Sequence, residues 1–154
     1  MFFKRKGEEA NKLELLQKKN IILNCQSKPK EEVIREIGNL LYESGYVDAS
    51  YIEAMIQRED SCATNIGNGI AIPHGVEEAK RDIKKSGIAV MIFPEGTTWN
   101  EEEVHVVIGI AGVGDEHLGI LANIADKLSA PEAVQDLIVS DVDTIFSIFT
   151  GKER

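Results

Sequence analysis

The sequence is poor in cysteine and in basic residues, and its apolar runs are short. Its only cysteines, Cys25 and Cys62, form neither a C-x-x-C pair nor a metal-binding spacing. A disulfide framework is therefore not expected, and a reducing cytoplasm fits the composition best. Lys and Arg number 17 against 26 Asp and Glu, for a formal net charge of -9. Nucleic acid is not expected as a partner, because binding phosphates requires clustered basic side chains.

No direct insertion into a membrane is expected. The basic, aromatic residues 1–6 are not followed by an apolar stretch of the roughly 7 or more residues that a secretory signal needs, nor by a membrane span. Residues 1–12 are expected to form a flexible N-terminal extension. The whole chain of 154 residues has the size of one ordinary domain.

Two apolar runs predict buried strands. Residues 87–93 are rich in strand-forming side chains and stop at Pro94-Glu95-Gly96, which predicts that the strand ends there in a turn. Residues 104–111 are almost continuously apolar, which is typical of a central strand covered on both faces. His105 lies in this second run and is expected to be a strand residue whose imidazole is either solvated or hydrogen-bonded locally.

Apolar residues at helical spacing predict helices between and after these strands. One helix covers 33–41, and a second begins with the capping-box pattern Ser50-Tyr51-Ile52-Glu53 and ends near Arg58. Asp115 is expected to cap a helix that reaches residue 128, and another capping box at 129–132 precedes the last helix at 143–149. The fold class is therefore α/β, a single domain with a mixed β-sheet flanked by helices on both faces.

One histidine stands in a turn that presents it for reaction. Gly67 and Gly69 permit positive φ angles, and Pro73 stiffens the chain directly before His74 and Gly75. An imidazole is sufficiently neutral near pH 7 to act as a nucleophile and sufficiently basic to leave again. His74 can thus hold a phosphoryl group or carry a proton, and spacing alone leaves both possibilities open.

Four collinear segments carry a family resemblance that covers roughly residues 13 to 150. Residues 67–75, with the triplet Ile72-Pro73-His74, resemble the phosphorylation signature of the mannitol/fructose class of sugar phosphotransferase IIA domains. Residues 51–59, 74–80 and 107–118 are similar to its mannitol branch. Four matches in order are far more specific than one short motif.

The resemblance implies a IIA type 2 domain at 13–154 that works as a phosphohistidine carrier. His74 would accept a phosphoryl group from the phosphocarrier protein HPr and pass it to the cysteine of a mannitol IIB domain on a membrane IICB transporter. His117 would be the second histidine that faces His74, and Arg58 would bind phosphoryl oxygens. No cofactor and no metal are expected.

Other functions are compatible with parts of the same pattern. A fructose-type or nitrogen-regulatory IIA protein would share the site, as would a non-catalytic module gated by histidine phosphorylation; residues 74–80 favour the mannitol type. A metal site at His74 and His117 lacks an H-x-x-x-H or H-x-H spacing. Neither cysteine lies in a phosphate loop after a strand, so the cysteine-bearing IIB module is not expected within this chain.

Overall fold

A five-stranded mixed β-sheet forms the centre of the computed structural model, which describes residues 14–151. The expected N-terminal extension at 1–12 lies outside the described residues. The strands are β1 (Ile21–Ile22), β2 (Asn65–Gly67), β3 (Ile70–Ala71), β4 (Gly87–Trp99) and β5 (Glu102–Ala111). They lie in the order β1-β4-β5-β3-β2. The long antiparallel pair β4 and β5 is extended by β1 parallel to β4 and by β3 parallel to β5.

Within the described residues 14–151, five α-helices cover the two faces of this sheet. They are α1 (Lys30–Glu43), α2 (Ser50–Ser61), α3 (Glu116–Lys127), α4 (Pro131–Ile138) and α5 (Val142–Thr150), with 3-10 helices at Lys18–Asn20 and Glu77–Asp82. The apolar sides of α1 and α2 pack on one face, and those of α3, α4 and α5 pack on the other. Along β4, Met91 joins the first core while Val90 and Ile92 join the second. The helices on both faces confirm the predicted fold class. They also explain the apolar runs, because a strand that is buried on both faces has apolar residues at nearly every position.

Within residues 14–151, no helix is both long and apolar enough to cross a bilayer.

The predicted end of β4 at Pro94 is wrong. The strand continues to Trp99, and its register against β5 shifts between Ile92 and Thr97. Residues 93–96 lie opposite residue 105 alone, so Pro94 lies in a bulge where a missing N–H breaks no regular pair. His105 is a strand residue as expected, and its Nδ1 donates across the pair to the Phe93 carbonyl oxygen of β4 at 3.0 Å.

The predicted caps of three helices do not form. Ala49 already has helical angles, φ -58° and ψ -31°, so Ser50 is the first residue of α2 and cannot cap it. At α4 the cap position is Ala130, one residue after Ser129. Asp115 occupies the cap position of α3, but its side chain makes no capping hydrogen bond. A side-chain cap needs extended backbone at the N-cap residue itself, so a displacement of one residue removes it.

Helix ends also differ slightly from the prediction. The second helix continues past Arg58 to Ser61, which leaves Arg58 in its last turn. The last helix has a cap that the sequence analysis missed, because the Asp141 carboxylate accepts from the Thr144 N–H at 2.8 Å. Gly151 ends that helix in the left-handed conformation with φ 73°.

Candidate functional site

One pocket of about 240 Å³ brings together His74, His117 and Arg58. The three residues come from the loop after β3, the first turn of α3 and the last turn of α2. The predicted grouping of these residues is therefore present, while their roles in catalysis stay predictions.

The main chain around His74 continues the parallel pairing of β3 with β5. His74 forms a parallel bridge with Ile110, and the Ile110 N–H donates to the Pro73 carbonyl oxygen at 3.0 Å. The histidine is thereby carried on the edge of a regular ladder at the end of β5. Such a position fixes a reactive side chain more firmly than a free loop does.

Tyr51 of α2 clamps the segment after His74 onto β5. Its hydroxyl accepts from the Gly75 N–H at 2.9 Å and donates to the Ile110 carbonyl oxygen at 2.8 Å. Burial raises the pKa of Tyr51 to about 12, so the hydroxyl keeps its proton at neutral pH. A Cβ atom at Gly75 would lie 2.5 Å from Tyr51 Cε1, so only glycine admits the ring this closely.

The His74 ring is held in one tautomer. Nδ1 lies 2.8 Å from the Ile72 carbonyl oxygen, which can only accept, so Nδ1 carries the proton and Nε2 keeps a lone pair. Burial lowers the pKa of His74, and the charge of Arg58 and that of a protonated His117 lower it further. The bond to Ile72 and the charge of Glu59 act in the opposite direction. The result is a neutral ring with a nucleophilic Nε2.

His117 is positioned in the same way from the other side of the pocket. Its backbone packs on Gly112, where a Cβ atom would lie 2.4 Å from the Cβ of His117. Its Nδ1 lies 3.2 Å from the Gly114 carbonyl oxygen, which can only accept, so Nδ1 donates this hydrogen bond. Nε2 is the ring nitrogen that this bond does not use. Both histidines therefore fix Nδ1 to the main chain and retain Nε2 for other contacts.

Arg58 is held at the end of α2 by its own helix. Its Nη1 donates to the Cys62 carbonyl oxygen at 2.7 Å, which is a common contact for a basic residue in a last helical turn. A guanidinium has five N–H donors, so this bond leaves other donors of Arg58 for further contacts. Its charge reaches His74, whose pKa it lowers.

The neighbouring Glu59 is buried and anchors this turn of α2. Its carboxylate accepts from the Thr64 N–H at 2.8 Å, the Thr64 hydroxyl at 2.6 Å and the Trp99 indole N–H at 2.8 Å. Lys30 Nζ lies 3.6 Å away and supplies a positive charge. A buried carboxylate is tolerated only with such partners, and here they tie α2 to the β4–β5 hairpin.

Three residues of this arrangement were missed by the sequence analysis, namely Tyr51, Glu59 and Lys80. All three lie in segments on which the resemblance rests, which was the available signal. Apart from the bonds of Glu59 to Thr64 and of Lys80 to Glu77, their partners lie 24 or more positions away, so these contacts had no local signature. Among residues 14–151, no three His, Cys, Asp or Glu side chains are grouped to hold a metal ion.

The fold and the pocket define a class of protein: an α/β domain in which a histidine with its Nδ1 bonded to the main chain shares one pocket with a second histidine and an arginine. Comparison with known proteins gives the family. The model of the phosphoenolpyruvate-dependent sugar phosphotransferase system, EIIA 2, matches residues 14–152, and the chain belongs to this family of phosphotransferase components.

Curated relatives carry mannitol-specific names. The mannitol-specific phosphotransferase enzyme IIA component of Bacillus subtilis is 46% identical over 127 residues, which is 82% of this chain and 89% of the relative. The mannitol-specific EIICBA component of Vibrio cholerae is 42% identical over 142 residues, which is 90% of this chain and 22% of that longer protein. The family resemblance is thus confirmed.

Solved structures agree with the fold. The complex of enzyme IIAMtl with phosphorylated enzyme IIBMtl from Escherichia coli matches with a TM-score of 0.82 at 33% identity, over 92% of this chain and 99% of that chain. The nitrogen regulatory protein IIA-Ntr of Neisseria meningitidis matches with a TM-score of 0.75 at 26% identity, over 88% and 97%. The same architecture therefore occurs in proteins with mannitol-specific and regulatory names.

Proposed function

We propose that this chain is the IIA component of a mannitol phosphotransferase system. It accepts a phosphoryl group from phospho-HPr on His74 and passes it to the cysteine of a mannitol IIB domain attached to a membrane transporter. The observation that carries this proposal is the His74 ring itself: Nδ1 is held by the Ile72 carbonyl oxygen, and Nε2 is left as the nucleophile. The mannitol names of the relatives support the choice of sugar.

Two displacements at phosphorus make up the reaction. In the first, the lone pair of His74 Nε2 attacks phosphorus as the bond from phosphorus to the donor protein breaks. In the second, the cysteine thiolate of IIB attacks phosphorus, and the electron pair of the breaking N–P bond returns to Nε2. Neither step needs a further reactant, so the protein contributes position and charge.

His117 and Arg58 stabilise the charge on the three phosphoryl oxygens. Arg58 supplies N–H donors and a fixed positive charge. Because His117 already uses Nδ1–H at Gly114, it donates to a phosphoryl oxygen from Nε2 only as the imidazolium.

The boundaries, the compartment and the partners follow from this proposal. The IIA type 2 domain occupies 13–154, supported by the family match at 14–152, and residues 1–12 form an extension outside it. The relay operates in the cytoplasm, which agrees with the free thiols of Cys25 and Cys62. The E. coli complex with phosphorylated IIBMtl supports a IIB domain as the acceptor, and HPr follows from the family resemblance.

The test is transfer between purified proteins. The chain is phosphorylated with phospho-HPr, and the second-order rate constant to a mannitol IIB domain is compared with that to a fructose-type IIB domain at one ionic strength. Discrimination resides in the protein surfaces, where a misplaced charge costs several kcal/mol, about a thousandfold at roughly 4 kcal/mol. Equal rates, or preference for the fructose type, contradict the choice of sugar. No transfer to any IIB domain favours a regulatory module.

His74→Ala tests the chemistry separately. The variant should incorporate no phosphoryl group while its circular dichroism spectrum stays native. His105→Ala is the matched control, since His105 is also half-buried and lies on β5 outside the pocket. Normal incorporation by the His74 variant would remove this residue from the reaction.

A further inference from the structure

Lys80 connects the two segments that carry the paired histidines. It lies in the 3-10 helix Glu77–Asp82 that follows His74 and lines the pocket with His74 and His117. Its Nζ lies 2.8 Å from the carbonyl oxygen of Gly114, in the turn before α3. The same oxygen accepts from His117 Nδ1 at 3.2 Å. A carbonyl oxygen has two lone pairs and can accept both bonds.

We propose that Lys80 is a positioning residue for His117, acting through the Gly114 carbonyl that both side chains share. Lys80 holds this carbonyl in place, and the carbonyl holds His117 with its proton on Nδ1 and its Nε2 in the pocket. The proposal deepens the proposed function and rests on it for its effect on transfer.

The turn around Gly114 needs such a restraint. Residues 113–116 are exposed, and a Cβ atom at Gly114 would meet no atom within 4 Å, so side-chain packing does not orient this peptide. Gly114 also has a left-handed backbone, with φ 57°, which glycine enters and leaves easily. Ser86 bonds the Val113 N–H and the Glu116 carboxylate on either side of this peptide, whereas the Gly114 carbonyl oxygen itself accepts from Lys80 and His117.

Lys80 is itself restrained enough to do this. Its Nζ lies 3.1 Å from a Glu77 carboxylate oxygen, and its side chain is only 25% exposed. A lysine held between a carboxylate and a carbonyl loses less rotamer entropy on fixing the turn than a free one would. The carboxylate also offsets the lysine charge next to His117, which must become an imidazolium when it binds a phosphoryl oxygen.

The tautomer of His117 follows from the position of this carbonyl. Which ring nitrogen carries the proton is decided by the partner of the other nitrogen. Without Lys80, the carbonyl of Gly114 can turn toward solvent, and His117 loses the acceptor that keeps its proton on Nδ1. The ring then rotates, and its Nε2 no longer points reliably at the phosphoryl group on His74.

The test uses Lys80→Met, which removes the ammonium and keeps most of the side-chain length, and Lys80→Arg, which retains a charged donor. Lys84→Met is the matched control, because Lys84 is an exposed lysine paired with Asp48 at 3.3 Å and does not line the pocket. The first measurement is the ¹⁵N spectrum of the imidazoles in the full-length, unphosphorylated chain. Lys80→Met should shift His117 from the Nδ1–H toward the Nε2–H form and leave the His74 tautomer unchanged.

The second measurement is phosphoryl transfer to the mannitol IIB domain. Lys80→Met should lower the maximal rate about 10-fold or more, as expected when a reacting group is misplaced by a fraction of an ångström, with KM within about twofold. Lys80→Arg should restore most of the rate, and Lys84→Met should match the wild type. A purely structural role would instead alter the unfolding midpoint without a selective change at His117.

The outcomes separate the two proposals. Unchanged His117 signals in Lys80→Met overturn the positioning role whether or not the chain transfers to IIB. Shifted His117 signals with a wild-type transfer rate overturn the link between that position and catalysis. If the wild-type chain transfers to no IIB domain, the proposed function fails, while the spectrum still decides whether Lys80 orients His117.

Discussion

The contact between Gly75 and Tyr51 leads to a prediction whose size can be worked from the structure. In Gly75→Ala, the new methyl group would lie 2.5 Å, 2.9 Å and 3.1 Å from Tyr51 Cε1, Cζ and Cδ1. The ring is only 2% exposed and its hydroxyl is bonded to two main-chain groups, so it has no room to retreat. Either the ring or the segment after His74 must move.

Such overpacking in a full core costs about 1–3 kcal/mol. Gly75 is not in the left-handed region, so the substitution adds no strain from a positive φ angle, and the whole effect should come from the clash. The displaced segment carries His74, so phosphoryl acceptance from phospho-HPr should fall together with stability. A displacement near 1 Å at the reacting atom can lower a rate about 10²-fold.

Urea unfolding followed by circular dichroism measures the change in stability. Gly119→Ala is the matched control, since a Cβ atom at this position of α3 meets no atom within 4 Å. Alanine should stabilise that helix by about 0.5–1 kcal/mol. The same glycine-to-alanine change should therefore have opposite signs at the two positions.

A double-mutant cycle identifies the origin of the effect. In a Tyr51→Leu background the ring atoms are absent, so Gly75→Ala should cost less than about 1 kcal/mol. If Gly75→Ala is as stable and as active as the wild type, the close approach described above is not a constraint. If its cost persists in the leucine background, the cause lies in the backbone and not in the ring.

Four further predictions concern the pocket. Tyr51→Phe leaves the part-buried Gly75 N–H and the buried Ile110 carbonyl without this partner and should destabilise the fold by about 1–3 kcal/mol in urea unfolding. An unchanged midpoint would contradict the clamp. Because burial lowers the pKa of His74, the folded chain favours the neutral ring. Its contribution to stability is therefore full above pH about 6.5, the ordinary imidazole value, and is lost as pH falls through the lowered pKa. Denaturation across pH should show the wild type losing stability relative to His74→Ala in this window, and parallel curves would refute the shift. Arg58→Lys keeps the charge but loses the planar fork, so transfer should slow; a wild-type rate would show that charge alone suffices. His117→Ala should lower the rate of transfer to IIB about 10²-fold with little change in the Kd for IIB, and an unchanged rate would make His117 only a helix residue.

The sequence alone was sufficient for the class of fold and for the centre of the site. The two long strands and the α-helices follow from the spacing of apolar residues. Residues that face the core recur along the chain with the period of the helix or strand that carries them. The turn from Gly67 to Gly75 and the resemblance carried by four segments pointed to His74, with His117 and Arg58 beside it. These signals are local, or are ordered along the chain, so they can be read without coordinates.

The tertiary structure decided the details that depend on register and on contacts between distant residues. β4 passes Pro94 because a bulge opposite residue 105 absorbs the missing N–H, and three predicted caps fail because the backbone angle at a single residue decides a cap. The Tyr51 hydroxyl meets Gly75 and Ile110 across 24 and 59 positions, and Lys80 meets Gly114 across 34. These hydrogen bonds arise only when the sheet aligns β3 with β5 and the helices dock on it. The bonds that set the tautomers of the two histidines are local, from His74 to Ile72 and from His117 to Gly114, but only the tertiary fold brings the two residues into one pocket.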